Sequence, residues 1–203
     1  MARTEGLERR RRADGERTRR AILDVAARLA TVEGLDGVSL GRLAQDTGMS
    51  KSGLFAHFGS KEELQLATIA AAEEVFRAEV LDPALAAPEG LPRLRELCER
   101  FLGHVERGVF PGGCFFASAA AELDTRPGPL RDRVAEVYDG WMMLLEGSVV
   151  RAQELGQLDP SLDPEQLAFE VNAMLAEANA LFLLRADPRA FEMARRAIRG
   201  RLG

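Results

Sequence analysis

The sequence is short of the residues that usually carry side-chain chemistry. It holds two cysteines and two histidines in 203 residues. Cys98 and Cys114 have neither the paired spacing of a zinc site nor the count of a disulfide scaffold, and a reduced, cytoplasmic setting fits them best. His57 and His104 leave little from which to build a Ser-His-Asp or Cys-His arrangement, and no cluster of metal ligands is visible. Neither catalysis, a metal nor a cofactor is therefore expected. No stretch approaches the ~20 apolar residues needed to cross a bilayer. The Arg-rich N-terminus leads into an amphipathic helix, not an apolar signal core, so secretion and membrane insertion are not expected. Internal repeats and the alternating pattern of strands are also missing, which leaves an all-α chain long enough to build its core without disulfides.

Charge is present, but unevenly. The formal net charge is −5, which looks wrong for a partner of nucleic acid until it is divided along the chain. Residues 1–61 hold twelve Lys and Arg against eight Asp and Glu, a balance of +4, and the remainder carries −9. A basic end can meet phosphate while an acidic body discourages nonspecific contact.

The most informative stretch is Ser39 to Lys61. Leu40, Leu43 and Ala44 make one apolar helical face behind a Ser39 cap, and Gly48 ends that helix. Ser50 caps a second helix at once, through about His57. Two short helices joined by a Gly-containing turn form a helix-turn-helix, whose second helix can enter the DNA major groove. Small residues at its start, Ser50, Ser52 and Gly53, permit close approach, and Lys51 adds a charge to a helix end already suited to phosphate. Ser60 and Glu63 read as a capping box opening the next helix, with Lys61 in its first turn.

Through Gly48, Ser50, Lys51, Leu54, Phe55, His57, Phe58, Ser60, Lys61, Glu62 and Leu64 the sequence resembles the TetR family of bacterial transcriptional regulators. The resemblance implies an all-helical homodimer with three N-terminal helices on a half-site of double-stranded operator DNA. It also implies a C-terminal domain that binds a small molecule and releases the DNA. Phe55 stands where the family usually has a Tyr that contacts phosphate, and Gly53 where Thr or Ser is common. Both changes remove a donor. The candidate DNA-contacting set is Ser39, Ser50, Lys51, Ser52, Gly53, Phe55, His57 and Lys61.

The expected organisation is a flexible basic arm over 1–15 with Arg9 to Arg12, a DNA-binding domain over 16–62, and a ligand-binding and dimerisation domain over 63–203. Helix one is expected from Glu16 to Glu33. A helix from Ser60 to Leu81, ended by Asp82-Pro83, joins the two halves and is the natural lever between them. Further helices are expected over Leu91–Arg107, Cys114–Leu123, Leu130–Leu155 with two apolar stripes, and Pro164–Arg185, with a last one opened by Pro188. The two terminal helices carry enough apolar surface for a dimeric four-helix bundle.

Individually, the bulky residues of this half read as core. Collectively they suggest a cavity between bundle helices. The candidate ligand-binding set is Phe101, His104, Cys114, Phe115, Ser118, Trp141, Met142, Leu145, Met174 and Glu177. Asn172 fits a polar group in such a cavity; in a competing reading Asn172 and Asn179, seven residues apart on an apolar face, fix dimer register. The sequence thus points to a ligand-responsive repressor; the alternative is a helical carrier or enzyme whose basic end only docks.

Overall fold

The computed structural model describes residues 2–203, with side chains from Ala13 onward. Among the described residues the chain is helices and connecting turns, with no strand. Helix α1, Ala2–Glu33, starts well before Glu16. Asp14 and Gly15 sit inside it: the Asp14 carbonyl accepts from the Thr18 hydroxyl at 2.9 Å, and its carboxylate pairs with Arg17 one turn on. The expected Arg9 to Arg12 cluster lies outside the described side chains.

Local caps set the next three helices. Ser39 accepts from the Arg42 N–H to start α2, Leu40–Thr47, and Gly48 closes it at φ 68°, a left-handed backbone that glycine adopts without penalty. Ser50 accepts from the Gly53 N–H to start α3, Lys51–Phe58. Ser60 accepts from the Glu63 N–H to start α4, Lys61–Phe76. Leu43, Leu54, Phe58 and Leu64 meet Ile22, Ala26 and Ala30 of α1 in a buried core.

Helical structure does not stop at Asp82-Pro83. Past α4 the backbone widens into a π turn over Arg77–Leu81, where the Asp82 N–H reaches back five residues to the Arg77 carbonyl, and α5, Asp82–Leu85, follows directly. Proline removes a helix donor and crowds the carbonyl four residues back, and the wider turn accommodates both faults.

The remaining helices are α6 (Leu91–Glu106), α7 (Phe115–Leu123), α8 (Pro129–Glu154), α9 (Pro164–Arg185) and α10 (Arg189–Leu202). Proline stands at the first turn of α6, α8 and α9, where its missing N–H costs nothing, and Asp163 caps α9 through the N–H groups of Glu165 and Gln166. Of the two stripes expected on α8, Val134, Trp141, Leu145 and Val149 are buried and Leu130, Val137, Met142 and Leu144 pack against the core, whereas Tyr138 stands at the edge, 39% exposed. Helix α9 packs between α8 and α10. Its most apolar stretch reaches a mean hydropathy of 1.4, high enough for a membrane span by length and composition, contrary to the expectation that no stretch of the chain is.

Candidate nucleic-acid interface and effector cavity

On the N-terminal head, α3 buries Leu54 and Phe58 and turns Ser50, Lys51, Ser52 and Phe55 outward. Phe55 is 59% exposed, unusual for an aromatic side chain with no partner to cover it. The Ser50 and Ser52 hydroxyls lie 3.1 Å apart. Lys51 extends back over Gly41, so that Ser39, the start of α2 and the start of α3 share one patch.

The cations around this patch are not equivalent. Arg42 donates to Glu33 at 2.9 and 3.2 Å and also to Asp46. Those bonds hold its guanidinium charged and keep the Glu33 carboxyl below the usual carboxylate range. Arg19 covers the Phe58 ring at 4.9 Å, and Arg20 reaches Glu74 at 3.4 Å. Lys61 donates to the Asp36 carbonyl at 3.0 Å and lies 3.5 Å from its carboxylate. Among the described residues Lys51 makes no ion pair. His57 is half-buried, tilted against Phe58.

The C-terminal half contains a cavity of about 220 Å³ between α4, α6, α7, α8 and α9. Phe76, the last residue of α4, is its hub, with ring centroids 5.6 Å from Trp141, 5.9 Å from Phe116 and 6.3 Å from Phe101, all edge-on. Trp141 and Phe101 stack at 6.0 Å. Ala117 and Ala120 leave the space that larger residues would fill, and no charged side chain lines the cavity. Its polar groups form a short relay: Trp141 Nε1 donates to Asn172 Oδ1 at 2.9 Å, and Asn172 Nδ2 donates to the Tyr138 hydroxyl at 2.7 Å.

Two helices connect this cavity to the head. Helix α4 begins at Lys61 beneath α3 and ends on Phe76, a helix of 16 residues or about 24 Å in length. Helix α7 lines the cavity with Phe116, Ala117 and Ala120, and near its far end Glu122 accepts from the Leu35 N–H at 2.6 Å and the Asp36 N–H at 2.9 Å. Arg126 pairs with Asp36 beside it, and Gln65 of α4 donates to the Leu35 carbonyl at 2.6 Å. The turn before α7 touches the head as well, since the Gly112 N–H donates to Thr31 Oγ1 at 3.1 Å. Any Cβ on Gly112 would collide with the Thr31 carbonyl, and one on Gly113, at φ +77°, with Asn179. Gly112 therefore lets the two halves meet, and Gly113 lets the same turn close on α9.

Comparison with known proteins agrees with this arrangement. Residues 22–68 match the family model for bacterial regulatory proteins of the tetR family, and residues 90–198 match that of the tetracyclin repressor-like C-terminal domain. The chain belongs to the TetR family. It is 31% identical over 134 residues to the HTH-type transcriptional regulator LmrA of Bacillus subtilis, covering 64% of this chain and 69% of LmrA. Among solved structures it is similar to a TetR transcriptional regulator from Chloroflexus aurantiacus, at 28% identity and a TM-score of 0.84 over 92% of this chain and 94% of that one. A structure of AibR in complex with isovaleryl coenzyme A and operator DNA is 26% identical, with a TM-score of 0.72 over 91% and 97% of the two chains.

Within this TetR-family fold Ser39 and Lys51 meet over Gly41 and Ser50 lies beside Ser52, whereas His57 is turned against Phe58 and Lys61 against Asp36. Ser39 and Ser50 already use their hydroxyls as caps, and Lys61 is held by Asp36. A signal overlooked in the sequence is that Lys51 and Lys61 are the only lysines in a chain with 27 basic residues.

The expected ligand residues scatter more. Phe101, Cys114 and Trp141 line the cavity. Phe115 and Leu145 are core, and Met142 is packed against it. Ser118 faces a separate groove with Asn179 and Leu183, and Met174 and Glu177 line an outer groove between α9 and α10. His104 is buried beside Phe76 and Phe110 with neither ring nitrogen hydrogen-bonded, and burial pushes its pKa down to about 4. The cavity residues missing from the expected set are chiefly Phe76, Phe116, Val137 and Tyr138, while Asn172 takes the cavity place that its sequence pattern left open. Phe76 was visible only as one member of a long apolar stripe. Asn172 and Asn179 both have partners inside this chain, the latter accepting from the Cys114 N–H at 2.9 Å. Burial raises the pKa of the Cys98 and Cys114 thiols, and among the described residues no group of acidic, His or Cys side chains could hold a metal ion.

Proposed function

We propose that this TetR-family regulator is a homodimeric, cytoplasmic repressor. Its head, residues 16–62, binds half of a near-palindromic operator through α3, and its body, residues 63–203, releases the DNA when a small, mostly apolar ligand enters the cavity. The observation that carries the reading is that α4 and α7 each have one end in the cavity wall and the other on the head. A ligand that prefers one spacing of the heads shifts the equilibrium by its differential affinity for the two states, typically ~1–3 kcal/mol of coupling. AibR, solved in complex with isovaleryl coenzyme A and operator DNA, supports a small-molecule site and a DNA site within one such fold. A cavity of about 220 Å³ suits a far smaller molecule than coenzyme A.

Dimerisation is supported by apolar surface with no partner in the monomer. Phe169 is 61%, Leu184 81% and Met193 43% exposed, along α9 and α10. Such a patch marks an interaction surface, and two-fold pairing of terminal helices covers it in both copies at once. The match to families of transcriptional regulators supports a regulator over an enzyme.

The deciding experiment is binding of the purified protein to DNA tiled across its neighbouring genes, at several salt concentrations. One tile should bind far more tightly than the rest, as a dimer on an inverted repeat, with affinity falling steeply in salt. Uniform weak binding to every tile would overturn the repressor reading.

A further inference from the structure

We propose that the cavity selects an uncharged ligand of one or two rings carrying a hydrogen-bond acceptor, and that the Tyr138 hydroxyl is the donor that meets it. The inference rests on the reading of the cavity as the effector site. Its basis is the fixed polarity of the relay. An indole N–H can only donate, so the Asn172 atom 2.9 Å from Trp141 Nε1 must be the carbonyl oxygen. The amide nitrogen then faces Tyr138 and donates to its oxygen at 2.7 Å. With that lone pair occupied, the phenolic hydrogen is left to donate onward. Reversing the amide would set two donors against each other at the indole, so the relay cannot run the other way. At the rim of the cavity, where Tyr138 is part-exposed, a ligand therefore meets a hydroxyl donor whose own oxygen is already engaged.

Size and charge restrict the ligand further. A cavity of roughly 150 Å³ in another protein accepts benzene. The present one, about 220 Å³ and walled by Phe76, Phe101, Phe116 and Trp141, suits one or two rings against its aromatic faces. A carboxylate would be buried without a cation, because no basic side chain lines the space. A cation would gain from the aromatic faces but would meet the Tyr138 hydrogen and find no counter-charge. The Cys114 thiol, kept protonated by burial, supplies none.

Four two-ring probes of similar size test this: coumarin, naphthalene, 2-naphthoate and N-methylquinolinium. Calorimetry gives affinity, and the single indole N–H resonance of Trp141, the only tryptophan, reports occupancy and folding. Coumarin should bind best, naphthalene about 5- to 10-fold more weakly, and the two ions weakest, as expected for one net hydrogen bond and an uncompensated charge. Tyr138→Phe should weaken coumarin by about the same factor and leave naphthalene unchanged, abolishing the discrimination. An unchanged coumarin-to-naphthalene ratio in Tyr138→Phe, or an ion that binds as tightly as coumarin, would overturn the proposal while leaving the effector site standing. A Trp141 resonance unmoved by all four probes at saturation, in a protein that still binds its operator, would remove the effector site itself.

Discussion

In the head, Ser50, Lys51, Ser52 and Phe55 of the α3 region stand in water, and each is placed by neighbours three or four residues away in sequence. Ser50 caps its own helix, Gly48 turns the chain, and Lys51 and Phe55 point outward because Leu54 and Phe58 point in. In the cavity the acting side chains come from five helices, and Asn172 is 31 residues from the indole it orients and 34 from the hydroxyl. A surface site can therefore be altered one residue at a time with local consequences. A cavity site is shared with the core, so changing it tests whether function and stability can be separated at all.

The sharpest separation comes from filling the cavity. Ala120→Trp places an indole into space bounded by Phe76, Phe116 and Trp141. Loss of response to any cavity ligand should be complete, with operator affinity fixed at one value, that of the ligand-free or of the ligand-bound parent according to which state the indole favours; overpacking should lower stability by ~1–3 kcal/mol. Operator titrations with and without ligand check both halves of the claim. A filled variant that still responds would move the effector site elsewhere.

His104 separates burial from function within the same domain. In the unfolded chain its imidazole titrates near 6.5; in the fold, burial holds it down to about 4, with Arg107 also disfavouring the charge and Glu79 partly offsetting it. Between those values the unfolded chain binds the extra proton, so stability is fully present above about pH 6.5 and declines as pH falls through 4. The loss approaches ~3 kcal/mol, from a shift of that size at 1.36 kcal/mol per unit. Denaturant melts across this range should show the acid limb in the parent, and His104→Leu should flatten it. An unaltered limb would assign the acid sensitivity to carboxylates instead.

Glu122 joins the two regions, and its loss should be felt on both sides. Glu122→Ala leaves the N–H of Leu35, a residue only 1% exposed, without its acceptor and weakens the seat of the α1–α2 turn on α7. One buried donor left unsatisfied and one lost charge-assisted bond should together cost about 2 kcal/mol. Hydrogen exchange should accelerate first at the Leu35 and Asp36 amides. Unchanged protection there would show that α4 alone holds the head.

The same contrast explains what could be read from the sequence. Ser39, Ser50, Ser60 and Gly48 set helix ends through bonds to residues at most four away, so the helix-turn-helix was legible residue by residue. Helices α6 to α10 were legible from periodicity and proline, to within a residue or two. Two boundaries were not. Asp82-Pro83 read as a stop because a π turn, which no periodicity announces, lets the helix pass it. Gly15 read as the end of an arm, although helical neighbours on both sides carry the backbone through it. Cavity membership was legible in type but not in address: His104 and Leu145 have the composition of a lining residue, and only the packing of five helices decides that Phe76 and Tyr138 take that place. The grip of Glu122 on Leu35 and Asp36 spans 87 and 86 residues, and nothing local in the sequence marks it.

The smallest effects lie on the head itself, where the two lysines give an internal control. Lys51 has no acidic partner among the described residues and sits at the start of α3, so one phosphate contact by its ammonium should release about one counterion on binding. Lys51→Ala should weaken operator binding about tenfold at moderate salt and reduce the salt slope by about 1. Lys61 is already held by the Asp36 carbonyl and carboxylate, which neutralise part of its charge before DNA arrives. Exposed pairs of this kind contribute little to stability, typically ~0–1 kcal/mol, so Lys61→Ala should melt almost as the parent does. Its salt slope should fall by clearly less than that of Lys51→Ala. Asp36→Asn provides the reciprocal test, because a Lys61 released from its carboxylate should bind operator slightly better and raise the slope toward the full contact. Equal slopes for the two lysine variants would mean that the Asp36 pair opens on binding, making Lys61 as much a part of the DNA-reading surface as Lys51.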